Sequence, residues 1–90
     1  MCVVRRRVIV HGNVQGVFFR ETTRRLAQQH DVAGWVRNNR DGTVEAVFEG
    51  DEENVERLVR FVREGPRGAH VERVEAFEEE PENLGGFAIR

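Results

Sequence analysis

Gly12 and Gly16 bracket the short run Asn13-Val14-Gln15, Val17 and Phe18 follow, and Arg20 lies just beyond. If a helix begins there, its unpaired N–H groups and the positive end of its dipole favour an anion. The loop alone suits a purely structural turn equally well, since Gly-x-x-x-Gly is a common spacing. Arg20 adds weight to the anion: a guanidinium in the first helical turn could grip it with two parallel hydrogen bonds. A cation at that end of a helix is otherwise unfavourable. Asn38 by itself reads as a turn former ahead of Asn39 and Asp41-Gly42. Beside a bound anion its amide could instead donate to and accept from a water molecule.

The missing residue types narrow the chemistry. The sequence has no Ser, no Lys and no Tyr, which excludes serine-nucleophile hydrolysis, Schiff-base chemistry and a lysine-bearing phosphate loop. All 14 basic residues are Arg, so any anion held by a cationic side chain other than histidine meets a planar fork that cannot deprotonate. Genomic base composition accounts for the bulk Arg count, though not for any single Arg. His11, His30 and His70 lack metal-ligand spacing and read as surface or helix-end residues. Cys2 sits in a terminus expected to fray, and the run Glu78-Glu79-Glu80 reads as a solvated loop.

Bulk properties point the same way. Ninety residues suit one domain over 1–90, and 14 basic against 16 acidic residues give a net charge of -2, so nothing recruits nucleic acid. The apolar runs fall far short of the roughly 20 residues of a membrane helix, and the charged N-terminus is not followed by an apolar run as long as the core of a secretory leader. One cysteine cannot close an internal disulfide. The expectation is a soluble, cytoplasmic, monomeric protein without a membrane partner.

Five segments and two helices must position these residues. Val8-Ile9-Val10 is β-branched and stops at the glycine loop, which predicts a strand. From Phe19 the spacing turns helical: Phe19, Thr23, Leu26 and His30, with Ala27 beside them, share one face, and the helix ends near His30 or Asp31. Trp35-Val36-Arg37 predicts a short second strand closed by Asn38, Asn39-Arg40-Asp41-Gly42 a turn, and Thr43 to Glu49 its hairpin partner. In that partner Val44, Ala46 and Phe48 form an apolar face. Thr43, Glu45, Val47 and Glu49 form a mostly polar one, as for a sheet covered on a single side. Asp51 suits an N-cap, Val55, Leu58, Val59 and Val62 hold helical spacing, and Gly65-Pro66 ends the second helix. His70 to Phe77 predicts another strand, Glu78 to Glu82 an acidic loop, and Phe87-Ala88-Ile89 has the length for a short fifth strand.

The order βαββαβ is the split pattern of a ferredoxin-like α+β sandwich, with two helices on one face of an antiparallel sheet. In it the first two strands run parallel with the third between them. The Gly12 to Val17 loop and Asn38 should therefore be neighbours on one sheet edge, with the two strands roughly 10 Å apart.

Two stretches, Val10-His11-Gly12-Asn13-Val14-Gln15-Gly16-Val17-Phe18-Phe19-Arg20 and Gly34-Trp35-Val36-Arg37-Asn38-Asn39-Arg40-Asp41-Gly42-Thr43-Val44-Glu45, resemble the two signatures of the acylphosphatase family. The resemblance covers essentially the whole chain, including Gly50, Gly65-Pro66 and the ending Gly86-Phe87-Ala88-Ile89-Arg90. It implies hydrolysis of a small-molecule acyl phosphate to carboxylate and inorganic phosphate, without metal or organic cofactor. It further implies that Arg20 binds the phosphoryl group, that Asn38 orients the attacking water, and that the loop from Asn13 through Val14, Gln15, Gly16, Val17 and Phe18 forms the phosphate cradle. The contrasting expectation is a noncatalytic anion-binding or regulatory module on the same fold.

Overall fold

The computed structural model describes residues 2–90. Strand β1 (Val3–Asn13) is followed by helix α1 (Phe19–Gln29), the hairpin strands β2 (Ala33–Asn38) and β3 (Val44–Asp51), helix α2 (Glu52–Glu64), β4 (His70–Glu79) and β5 (Phe87–Ile89). The sheet order is β4-β1-β3-β2-β5. Strand β3 is antiparallel to both β1 and β2, so those two run parallel on either side of it, and β5 adds to β2 in parallel. This is the expected ferredoxin-like arrangement with the fifth strand present, but β5 makes the sheet mixed where the split pattern predicts a purely antiparallel one. Among the described residues no helix is long and apolar enough to cross a membrane.

Alternation along the strands decides how each face is filled. Val8 and Val10 of β1, Val36 of β2, and Val44, Ala46 and Phe48 of β3 enter one core with Phe19 and Ala27 of α1 and Val55, Leu58, Val59 and Val62 of α2. Phe87 stacks on Phe48 with ring centroids 5.9 Å apart, which ties β5 to the core. Phe48 and Leu58 are fully buried, and each such side chain contributes about 2–3 kcal/mol. Thr23 holds its place in this apolar interior because its hydroxyl donates to the Phe19 carbonyl at 2.7 Å.

Both helices cover one face, as expected, but the other face is less solvated than its polar alternation suggests. Glu45 and Glu49 are only 8% and 4% exposed, because arginines lie over them. Strand β1 begins at Val3 rather than Val8 and carries Arg5 and Arg7 onto this face. Strand β4 continues through Glu79, so Glu78 and Glu79 belong to a strand and not to the acidic loop. Arg5 and Arg7 each donate Nε to Glu79 at 2.9 Å, and Arg7 also lies over the Phe77 ring. Glu49 accepts the backbone N–H groups of Glu82 and Leu84, both at 2.7 Å, so the chain leading to β5 is tied to this face. Charge pairing is invisible to a hydrophobic pattern, which is why polar alternation read as solvent exposure.

Three smaller differences have local causes. Asp51 occupies the N-cap of α2 but makes no side-chain capping bond; Glu52 and Glu53 supply the favourable charge there. The Cys2 carbonyl accepts the Glu52 N–H at 3.1 Å, so the terminus expected to fray is fastened to α2 at that residue. His11 is half-buried with Nε2 2.6 Å from a Glu75 carboxylate oxygen, whereas His30 caps α1 at its C-terminus.

Candidate active site

The loop between β1 and α1 is shaped by where the chain can turn and by what anchors it. The pairing of β1 with β4 shifts register between His11 and Gly12. A Cβ on Gly12 would lie 2.1 Å from the His70 carbonyl oxygen, so only glycine passes. Beyond Asn13, which still pairs with His70 at the end of β1, Val14 is fully buried and Val17 packs against the core. These two anchors leave Gly16 and Phe18 facing outward. Gly16 has φ +78°, a left-handed conformation that glycine adopts freely. Phe18 has φ +59° without that freedom and is 81% exposed. Such a conformation costs about 1–2 kcal/mol and is typical of functional loops.

Phe18 is the N-cap of α1, and no side chain caps the helix. The Thr22 N–H donates to the Phe18 carbonyl at 3.0 Å, but among the described residues the backbone N–H groups of Gln15 through Glu21 find no protein acceptor. Together with the helix dipole they present a concentration of donors suited to an anion. Glu21 would oppose that charge, yet its carboxylate is engaged by Arg24 and Arg25. The Arg24 hydrogen bond holds the Glu21 carboxyl below the usual carboxylate range.

A cleft of about 320 Å³ opens over these donors, lined by Val14, Gly16, Phe18, Arg20, Asn38 and Ile89 among others. Arg5, Arg6, Arg7 and Arg24, all at least half-buried, pair with carboxylates, and Arg57 meets His30. Arg20 is also half-buried, and among the described residues its guanidinium has neither kind of partner. Its charge is therefore available to a ligand in the cleft.

Strand alternation separates the two neighbouring asparagines. Asn38 follows Val36 on the helix-facing side of β2 and reaches the cleft. Asn39 turns to the other face, where Nδ2 donates to Thr43 Oγ1 at 3.0 Å and to Glu45 Oε1 at 3.2 Å. Asp41 Oδ1 accepts both the backbone N–H and the hydroxyl of Thr43, which holds its carboxyl below the usual range. The turn is thus built by Asn39 and Asp41. Among the described residues the Asn38 amide has no protein hydrogen bond, so the turn-forming role considered for it falls to its neighbours.

Of the sequence-derived candidates, the cleft collects Val14, Gly16, Phe18, Arg20 and Asn38; Asn13 stays in the strand ladder and Val17 in the packing. Gln15 does more than lend an amide. Its side-chain Nε2 donates to the carbonyls of Asn39 at 2.8 Å and Thr43 at 2.9 Å, fastening the loop to the β2–β3 turn. Ile89 was not legible as a wall of the cleft, because its place depends on β5 joining β2. A short apolar triplet carries no signal for which strand it will pair with.

A family model described as Acylphosphatase matches residues 6–89. The chain is 51% identical over 90 residues to an acylphosphatase of Haloarcula marismortui, covering 100% of this chain and 99% of that one. It is 57% identical over 86 residues to an acylphosphatase of Rubrobacter xylanophilus, covering 93% of this chain and 77% of that one. Its backbone superposes on the structure of an acylphosphatase from Coxiella burnetii with a TM-score of 0.93 at 38% identity, covering 98% of this chain and 93% of that one. Sequence and backbone agree over nearly the full length, and the chain belongs to the acylphosphatase family.

Proposed function

We propose that Arg20, Asn38 and the loop from Asn13 to Phe18 carry out the acyl phosphate hydrolysis of this enzyme, by direct attack of water on phosphorus. The observation that supports this most is one cleft onto which face an Arg20 guanidinium, an Asn38 amide and a run of backbone N–H groups, none of them with a protein partner among the described residues. The amides and the Arg20 fork hold the equatorial phosphoryl oxygens and neutralise their charge. Asn38 accepts from and donates to the water, setting it in line with the leaving carboxylate. A carboxylate leaves readily, so no protein nucleophile is required. The proton released by the water passes to a phosphoryl oxygen, and the products are carboxylate and inorganic phosphate.

One sheet carries both Asn38 and the loop before Arg20, which supports 1–90 as one domain, and the hydrolysis as written uses groups of a single chain, so a monomer is taken as the working unit. A cytoplasmic place of action rests on cysteine usage, Cys2 being the single cysteine. The test is phosphate release from acetyl phosphate by the purified chain, with the Arg20→Ala and Asn38→Ala variants beside it. Turnover in wild type lost in both variants is expected. Phosphate binding without turnover would replace this reading with a noncatalytic anion-binding module.

A further inference from the structure

The two halves of the cleft come from different elements, and a chain of hydrogen bonds joins them through the opposite face of the sheet. Glu45 of β3 is buried on that face. Its Oε1 accepts from Arg37 Nη2 at 3.0 Å and Asn39 Nδ2 at 3.2 Å, and its Oε2 accepts from Arg7 Nη1 at 3.3 Å. Arg37 Nε also donates to Asn39 Oδ1 at 3.2 Å, so the Asn39 amide is held at both ends. The backbone of the same residue carries the carbonyl that receives Gln15 Nε2 at 2.8 Å. Asn39 directly follows Asn38, and Gln15 lies within the glycine loop. Fixing one side chain from the far face therefore fixes the spacing between the loop and Asn38.

We propose that Glu45 is a positioning residue for hydrolysis, acting through Asn39 and Gln15 to set the loop against Asn38, a role that rests on the hydrolytic reading above. Glu45 never meets the substrate. Without its carboxylate the Asn39 amide loses an acceptor, the turn can rotate, and the Gln15 clamp loosens. Burial pushes the Glu45 pKa up, but hydrogen bonds from Arg37 and Asn39 outweigh it, and the carboxyl stays below its usual range, charged at neutral pH. Displacement of a catalytic group by 1 Å can cost about 100-fold in rate, so a loosened clamp is expected to lower kcat/KM on the order of tenfold.

The experiment is a double-mutant cycle on acetyl phosphate hydrolysis with Glu45→Ala and Gln15→Ala, run well below the melting temperature of each variant. Each single change is expected to lower kcat/KM and weaken inhibition by inorganic phosphate, and the double variant should be little worse than the poorer single one. Losses that multiply, or a folded Glu45→Ala with wild-type kcat/KM, overturn the proposal. Glu45→Gln retains an oxygen for Asn39 but removes the charge facing Arg7 and Arg37. It should recover much of the kcat/KM lost in Glu45→Ala while still melting lower than wild type, whereas a role in stability alone would leave kcat/KM unmoved in both. Should Glu45→Ala fail to fold, Asn39→Ala enters the cycle under the same criteria. Wild type that releases no phosphate would overturn the hydrolytic reading. Active, Asn38-dependent wild type with an indifferent Glu45→Ala variant would overturn the positioning role only.

Discussion

Asn38→Ala separates the catalytic and structural uses of one side chain, because the structure assigns the turn to other residues. Asn39 and Asp41 supply its side-chain bonds, and the Asn39 N–H donates to the Thr43 carbonyl at 2.8 Å. Asn38 is exposed and, among the described residues, its side chain makes no hydrogen bond to the protein, so truncating it should change stability by no more than about 0.5 kcal/mol, as for an ordinary surface position. The expected kinetic damage is far larger. A water that loses both its acceptor and its donor leaves the in-line position, and a misplacement of that kind costs roughly 100-fold, or about 2.7 kcal/mol of barrier. Phosphate should still bind, since Arg20 and the loop amides are untouched. The assay follows initial rates of phosphate release from acetyl phosphate, competitive inhibition by inorganic phosphate and the thermal midpoint on the same preparation. A variant with near-normal kcat would refute the water-positioning role. A variant whose melting temperature and phosphate affinity fall together would return Asn38 to the turn.

Arg20→Lys keeps the charge but loses the fork, and removing one charge-assisted hydrogen bond of about 1.5–3 kcal/mol predicts a loss of about 10- to 100-fold in kcat/KM, with KM and kcat both impaired; unchanged kinetics would show that charge alone suffices. Activity should persist in EDTA, because the ionisable side chains lining the cleft are Arg20 and Glu21, and Glu21 is occupied by arginines; loss of turnover restored by a divalent ion would contradict this. His11→Ala, His30→Ala and His70→Ala should each keep kcat within about a few-fold of wild type, well short of the 10²-fold or more expected of a lost general acid or base. Glu45 and Glu79 both titrate below their usual range, Glu79 chiefly through the Arg5 hydrogen bond. Their folded pKa values are depressed, so the stability they lend is present above the unfolded carboxylate range and lost as pH falls through the folded values. Thermal midpoints should therefore drop on acidification below about pH 4.3, and a flat profile there, or an equal drop in Glu79→Gln, would remove Glu79 from the account.

The parts of this protein legible in its sequence are those governed by local rules. Apolar spacing marked the inner faces of α2 and β3, and Asp51 and Gly65 marked the ends of α2 where they fall. Strand order followed from connectivity, and it already brought the loop at Gly12 and the end of β2 at Asn38 to one edge. The structure turns the side chains of Asn38 and Asn39 to opposite faces. What only the tertiary structure decided depends on partners distant in sequence. Glu79 is solvated or half-buried in ion pairs according to whether Arg5 and Arg7 of the neighbouring strand meet it. Gln15 is a loop residue or a clamp according to where the Asn39 carbonyl points, and among the described residues no carboxylate pairs with Arg20. Hydrophobic burial repeats along the chain and so writes a periodic signal into it. Ion pairs and side-chain hydrogen bonds need one specific partner, whose position emerges only when the strands are laid side by side.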